Sequence, residues 1–397
     1  MNLTTIDQLS VAGRRVLVRV DFNVPVKAGR VGDDTRIRAA LPTLEALQAR
    51  GATLILASHL GRPKGPADGE RMRPIADRLA ELLATEVRYL ASDGPASAAQ
   101  RAFVADAPPG SVTMLENTRF DSREKDNDPE LARALAGYAD LFVNDAFGAA
   151  HRAHASTEGV ARLLPGAAGY LLARELEVLG RLKTSPAKPF VVIVGGAKVS
   201  DKIGVIYRLL ELADKLVIAG AMAYTFFQAR GGEVGRSLVE ADKLDLARDL
   251  LATAERRGVE LLLPVDSVCA QDIAPDVATE VHPSDAIPPD LMGLDAGPHA
   301  IGEFVAALAG AKTLFWNGPL GVFEVPPFDA GTRAIAAAVA ELEAFTVVGG
   351  GDSVAAITAM GMQERVDHVS TGGGASLEFL EGRTLPGVAA LAGRSSG

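Results

Sequence analysis

One unit recurs along this chain: a short apolar run that ends in glycine or polar residues, followed by a stretch with helical spacing. In the first half the runs are Val16-Leu17-Val18-Arg19-Val20, Thr53-Leu54-Ile55-Leu56-Ala57, Val112-Thr113-Met114-Leu115 and Leu141-Phe142-Val143. In the second half they are residues 190–194, 215–219, Leu261-Leu262-Leu263, residues 313–316 and 345–348, and His368-Val369-Ser370. Between them lie amphipathic stretches; one puts Ile37, Leu41, Leu44 and Leu47 on a single face and stops at Gly51. Strands that alternate with helices and are apolar on both faces imply a mostly parallel sheet covered on both sides.

A chain of 397 residues is long for one such sheet, and the character of the strand ends changes midway. The stretch 169–183 carries Leu172, Leu176, Leu179 and Leu182 at helical spacing and runs into the break Thr184-Ser185-Pro186-Ala187-Lys188-Pro189. The expected fold class is therefore α/β, with two doubly wound parallel-sheet, Rossmann-like domains joined by an interdomain helix and hinge. The boundaries drawn are 1–168, the helix 169–184, and 185–379, with the tail from about 380 to 397 packing back on the first domain. Residues 394–397 are read as frayed.

Composition narrows the function. Hydrophobic residues make up 48% of the chain and charged residues 23%, a globular balance, and the formal net charge is −10. An acidic surface argues against nucleic acid or an acidic membrane as partner, so an anionic ligand must be held by a local positive cluster. Cys269 is the single cysteine and reads as a small buried hydrophobe. The first residues have neither a basic nor an apolar leader region, and no apolar run approaches the ~18 residues of a membrane span. The expected setting is the reducing cytoplasm, and the expected state is a monomer.

In open parallel sheets ligands bind beyond the carboxyl ends of the strands. Those ends in the first half carry Asp21-Phe22-Asn23, His59-Leu60-Gly61-Arg62, Glu116-Asn117-Thr118-Arg119, and Asn144-Asp145 followed by His151-Arg152, with Arg36 opening a predicted helix. Any one of these arginines alone reads as a solvated loop residue. At successive strand ends they read together as an anion site, because guanidinium forks bind carboxylate and phosphate oxygens in pairs. His59 alone reads as structural, and Asp21 and Asn23 as turn residues that can also orient a guanidinium.

The second half ends its strands in glycine: Gly195-Gly196-Ala197-Lys198-Val199-Ser200-Asp201-Lys202, Gly220-Ala221-Met222, Asn317-Gly318-Pro319-Leu320-Gly321, Gly349-Gly350-Gly351-Asp352-Ser353 and Gly372-Gly373-Gly374. Glycine at such turns lets backbone N–H groups approach phosphates, although tight connections also need it for backbone reasons alone. Lys198 and Lys202 add charge at one turn. Asp352 at another would repel phosphates unless a cation lay between them, which points to Mg²⁺. Neither the P-loop pattern nor G-x-G-x-x-G occurs.

These strings resemble the phosphoglycerate kinase family. Arg19-Val20-Asp21-Phe22-Asn23-Val24-Pro25, His59-Leu60-Gly61-Arg62-Pro63, Glu116-Asn117-Thr118-Arg119-Phe120 and Asn144-Asp145-Ala146-Phe147-Gly148 are similar to its N-terminal signatures. Residues 195–202, Trp316-Asn317-Gly318-Pro319, Gly321-Val322-Phe323-Glu324, 349–353 and 372–376 are similar to its C-terminal ones, in order along nearly the whole chain. The resemblance implies that Asp21, Asn23, Arg36, His59, Gly61, Arg62, Arg119 and Arg152 hold 3-phosphoglycerate or 1,3-bisphosphoglycerate. It implies that Lys198, Lys202, Gly220, Asn317, Glu324, Gly350, Gly351, Asp352 and Ser353 serve ATP or ADP, with Asp352 on the Mg²⁺ and Arg36 and Lys202 catalytic. Two segments depart from the family pattern. Ala219-Gly220-Ala221 stands where three glycines are usual, and Asp295-Ala296-Gly297-Pro298-His299 is a looser form of Asp-Ile-Gly-Pro.

Such an enzyme would need no general base, since a carboxyl with a reference pKa near ~3.5 is already ionised at neutral pH. Its task would be to bring two anions together in line and to exclude water by closure about the hinge. Two other readings compete: another small-carboxylate kinase, and a non-catalytic two-domain anion-binding protein. The density of arginines favours a substrate with phosphate as well as carboxylate, and the missing dinucleotide fingerprint weakens a dehydrogenase.

Overall fold

Two six-stranded sheets, parallel at every pairing, organise the chain in a computed structural model that describes residues 3–392. By its internal contacts the chain divides into residues 1–177 with 384–397, and residues 178–383. The division falls inside the helix Tyr170–Thr184. Residues 394–397, read above as frayed, lie outside the described residues.

In the first unit the strands lie in the order Val87–Tyr89, Val112–Met114, Thr53–Ala57, Arg15–Arg19, Leu141–Asn144, Gly166–Ala168. Residues at 16, 18, 54, 56 and 143 enter one apolar cluster with Ile37, Leu44 and Leu47 from the helix Thr35–Ala49. That helix buries the face its spacing predicts, and the chain turns out of it at Gly51, whose φ is +79°. Successive strands lie on opposite sides of Arg15–Arg19, so the chain reverses direction there. A crevice at the carboxyl ends of the two neighbours is the ligand position this topology offers.

In the second unit the order is Glu260–Leu262, Lys215–Ile218, Phe190–Val194, Thr313–Asn317, Phe345–Gly349, His368–Val369. This is the doubly wound arrangement, with its reversal between Phe190–Val194 and Thr313–Asn317. Ile193, Val217, Leu314, Trp316 and Val348 face Phe304, Ile335 and Ile357 in its core. Each such side chain contributes about 1.5–3 kcal/mol on burial. A three-stranded antiparallel sheet, Glu280–Pro283, Asp266–Ala270, Met292–Ala296, is appended to it.

The short helix Pro386–Ala392 returns to the first unit. The Gly387 N–H donates to the Ala150 carbonyl at 2.9 Å, and the Asn144 amide donates to the Gly387 carbonyl at 3.2 Å. Leu391, 3% exposed, lies against Gly166 with a side-chain carbon 3.1 Å from where a Cβ would project. Leu391→Ala leaves a cavity under that strand and is expected to cost about 2–4 kcal/mol. Urea denaturation followed by circular dichroism checks this; an unchanged midpoint would show that the helix contributes nothing to the unit.

Candidate functional site

The first cluster forms at the strand ends around the reversal in the first unit. Asp21 follows the strand Arg15–Arg19, and its Oδ2 accepts from Arg36 Nη1 at 3.0 Å. Arg36 sits in the first turn of the helix Thr35–Ala49, which brings a guanidinium that is otherwise half-exposed onto a buried carboxylate. Asn23 Oδ1 accepts the Gly61 N–H at 2.9 Å, joining the first strand end to the second. Gly61 has φ +63°, a backbone that favours glycine, and a methyl group there would push against the Glu70 carboxylate. Glu70 Oε1 accepts the Arg62 N–H at 3.1 Å.

Asn117 locks the third strand end to the second. Its Oδ1 accepts from the N–H groups of Leu60 at 3.2 Å and Arg119 at 3.0 Å. Its Nδ2 donates to the carbonyls of Leu60 and Glu70, both at 2.8 Å. Arg119 is thereby held 9% exposed, with Nη1 on the Gly61 carbonyl and Nε without a partner. Asp21, Asn23, Arg36, His59, Gly61 and Arg119 thus share direct contacts or one another's fields, whereas the side chains of Arg62 and Arg152 are exposed at the margin. Arg152 is near enough for its charge to act on Arg119.

The electrostatics are those of crowded positive charge. Burial, and then the charges of Arg152 and Arg19, lower the Arg119 pKa. Burial first, with Arg19, Arg119 and Arg36 adding and Asp21 opposing, pushes His59 down to about 3, so the ring is neutral at pH 7. Burial raises the Asp21 pKa, but the cations around it win and hold the carboxyl below its usual range. Because His59 is neutral at pH 7, Arg36 and Arg19 supply that effect there.

Reading the chain alone did not single out Arg19, Glu124, Ser156 or His154 as site residues. Arg19 and Glu124 are fully buried beneath the cluster. One signal was available: a charge inside an otherwise apolar run, Val16-Leu17-Val18-Arg19-Val20, is rarely placed there without a partner.

The second cluster lies at the reversal of the second sheet. Lys202 directs Nζ to the carbonyls of Gly195 and Asn317, the latter at 3.2 Å. Burial lowers its pKa to about 8, against the raising influence of Asp352 and Asp201. Asp352 is exposed in the first turn of the helix Gly351–Ala359, after Gly350 at φ +89°. Asn317 is 2% exposed, and its Nδ2 has no partner. Ser353 accepts the Gly318 N–H and donates to the Gly349 carbonyl, both at 2.7 Å, so it stitches two turns together. Lys198 is exposed on the loop before the helix Ile203–Leu209. Glu324 is exposed and lines a cleft with Phe323, Thr332 and Met360. Among the described residues no three His, Cys, Asp or Glu side chains form a metal cage. A single carboxylate beside a lysine suits an ion carried in by phosphate oxygens instead.

Three backbone turns meet here at distances that exclude a side chain. A methyl group on Gly195 would lie 2.1 Å from the Pro319 carbonyl oxygen, and one on Gly318 would lie 2.3 Å from that of Gly195. On Gly220, at φ +72°, it would lie 2.6 Å from the Gly196 nitrogen. Of Ala219-Gly220-Ala221, the glycine retained is the one with no room, while Ala219 packs in the core.

Comparison with known proteins follows the same outline. The family profile described as phosphoglycerate kinase matches residues 6–383. The phosphoglycerate kinase of Thermus thermophilus is 56% identical over 98% of this chain and 100% of its own length. That of Pelotomaculum thermopropionicum is 55% identical over 98% of both. Among solved structures, phosphoglycerate kinase from Coxiella burnetii superposes with a TM-score of 0.87 at 38% identity, covering 100% of each chain. The enzyme from Pyrococcus horikoshii gives 0.84 at 31% identity, covering 98% of each.

Gly220→Ala is expected to cost at least ~2 kcal/mol, because a left-handed backbone strain adds to a backbone clash. It should also weaken any ligand held by the 195–196 and 318–319 turns. Thermal melts and nucleotide titrations check both, and a fully stable variant would show that the turns can part freely.

Proposed function

The chain belongs to the phosphoglycerate kinase family, and we propose that its two units divide the reaction between side-chain charge and backbone N–H groups. The enzyme reversibly transfers the acyl phosphate of 1,3-bisphosphoglycerate to ADP, giving ATP and 3-phosphoglycerate in glycolysis. On this proposal the first unit, with Asp21, Asn23, Arg36, His59, Gly61, Arg62, Arg119 and Arg152, holds phosphoglycerate. The second, with Lys198, Lys202, Gly220, Asn317, Glu324 and residues 350–353, holds the nucleotide, Ser353 acting through the turns it joins.

The observation that carries the division is the contrast between the two sheet reversals. One gathers guanidinium groups around the buried carboxylates of Asp21 and Glu124, which suits a small ligand bearing both phosphate and carboxylate. The other brings glycine turns together around one lysine, which suits the repeated phosphates of a nucleotide. A substrate with a carboxylate and no phosphate would leave Arg62 and Arg152 at the margin without an anion to meet.

Phosphoryl transfer between a carboxylate and a diphosphate requires little proton movement, so the residues act by position and field. Arg36, tethered by Asp21 yet half-exposed, is placed to follow charge that develops at the acyl oxygen. Lys202 is the corresponding cation on the nucleotide side. Asp352 would hold a Mg²⁺ carried by the nucleotide, an ion that neutralises phosphate charge when bound. We also read the enzyme as a cytoplasmic monomer. The glycolytic step and the lone buried thiol of Cys269 support the compartment, and a net charge of −10 disfavours self-association.

Two measurements test this assignment. In a coupled assay with 3-phosphoglycerate and MgATP, Arg36→Ala is expected to lower kcat about a hundredfold or more, the scale of losing one electrostatic stabiliser. Arg62→Ala should mainly raise KM for 3-phosphoglycerate, since a grip on the distal phosphate is equal in ground and transition states. Matching KM increases with unchanged kcat would remove any special role for Arg36. The second measurement is a pH profile. Lys202 is charged below its pKa of about 8, so kcat/KM for MgATP should fall as pH rises through that value. Lys202→Arg, which does not titrate there, should keep a flat profile across the same range; an identical fall in both would assign the titration elsewhere.

A further inference from the structure

Arg19 is fully buried at the end of the strand Arg15–Arg19, an unusual place for a guanidinium, and each of its three nitrogens has a partner. Nε donates to Ser156 Oγ at 2.8 Å, Nη1 donates to the Val20 carbonyl, and Nη2 lies 3.2 Å from His59 Nδ1. Ser156 is fixed in turn by Glu124: its hydroxyl donates to Oε1 at 2.5 Å and its backbone N–H to Oε2 at 3.0 Å. Both carboxylate oxygens therefore accept, the hydroxyl hydrogen points away from Arg19, and Arg19 Nε donates to the lone pair left free. The geometry admits one direction of donation along the chain.

That direction decides the state of His59. A guanidinium has five N–H donors and no acceptor. If Nδ1 carried a hydrogen, two donors would face each other at 3.2 Å. The alternative acceptor for such a hydrogen is Asp21 Oδ1, but it lies 3.8 Å from Nδ1, beyond hydrogen-bond range, and has no hydrogen-bond partner. Nδ1 is thus a lone pair, and the single ring hydrogen of the neutral imidazole is on Nε2. Double protonation is opposed by burial and by the nearby charges of Arg19, Arg119 and Arg36, with only Asp21 in favour.

We propose that Arg19 is a positioning residue that fixes His59 as its neutral Nε2–H tautomer, so that the ring offers bound phosphoglycerate a hydrogen-bond donor and not a base. The proposal rests on reading the first cluster as the phosphoglycerate site. Its consequence is chemical. The other neutral tautomer would turn a lone pair toward anionic oxygens and repel them, whereas Nε2–H accepts their approach without adding a further charge to crowded arginines. Glu124 and Ser156 have the same purpose at one remove, since they hold the guanidinium that selects the tautomer.

Long-range ¹H–¹⁵N correlation of the histidine rings in the intact protein tests this directly. The chain has 6 histidines, and the His59 signal is assigned by its loss in His59→Gln. At pH 7 the expected pattern is a pyrrole-type Nε2 and a pyridine-type Nδ1; an Nδ1–H or imidazolium pattern overturns the proposal without touching the substrate reading. Saturating 3-phosphoglycerate should then shift Nε2. An unmoved Nε2 while the Gly61 and Arg119 amides respond overturns the presentation to substrate, and no response anywhere in the first unit overturns the site reading itself. Arg19→Met should show mixed tautomers and raise KM for 3-phosphoglycerate about tenfold, the equivalent of one hydrogen bond, with KM for MgATP unchanged. Arg19→Lys retains a donor and should restore the Nε2–H pattern; failure to do so would assign the tautomer to something other than Arg19. Should Arg19→Met not fold, the wild-type spectrum still decides the tautomer.

Discussion

Positive charge gathered in one place must be kept from pushing itself apart. In the first unit this falls to the buried carboxylates of Asp21 and Glu124. Glu124 has no exposed surface, and burial raises its pKa even as Arg19 and the two donors of Ser156 pull it down. Burial lowers the Arg19 pKa, and the charges of Glu124 and Asp21 offset this only in part. A pair of this kind adds little net stability, because desolvation offsets most of the attraction. What it contributes is direction: Arg19 is held where its field and its donors act on His59, and Asp21 is left to orient Arg36.

The second unit solves a different problem by a different means. Glycine turns must approach one another at close range there, and the obstacle is steric rather than electrostatic. The turns after Phe190–Val194, Lys215–Ile218 and Thr313–Asn317 approach until no Cβ fits at Gly195, Gly220 or Gly318. Lys202 binds the carbonyls of Gly195 and Asn317, and Ser353 ties the Gly318 turn to the one that follows Phe345–Gly349. The two alanines that flank Gly220 are tolerated because neither has to enter that contact.

Much of this was readable from the chain, and the exceptions share a cause. Long apolar runs such as Thr53–Ala57 and Phe190–Val194 matched strands residue for residue, since burial on both faces leaves no polar position to blur them. Val87-Arg88-Tyr89 and Gly166-Ala167-Ala168 were missed as strands. The first is three residues with a charge at its centre, and the second lacks any branched side chain, being held by Leu141–Asn144 on one side and covered by Leu391. The antiparallel sheet around Asp266–Ala270 was missed for a related reason, as its edge strand Glu280–Pro283 is largely exposed and reads as loop. At the site, strand-end residues were legible because topology alone brings them together. Arg19, Glu124 and Ser156 were not, because their partnership joins residues 137 positions apart and 32 positions apart, and only the folded chain sets those distances.

The same contrast explains why the visible arginines are the less informative part of the first cluster. Arg62 and Arg152 stand out in the sequence because they are polar residues at polar turns, and their side chains are exposed. Arg19 sits in an apolar run where a charge is costly, and a costly residue that persists in a folded core must satisfy every donor it brings. Satisfying those donors commits Ser156 and Glu124 to fixed roles and leaves His59 one tautomer. Orientation in this site therefore originates in the least exposed guanidinium, and the exposed ones inherit a centre whose geometry is already set.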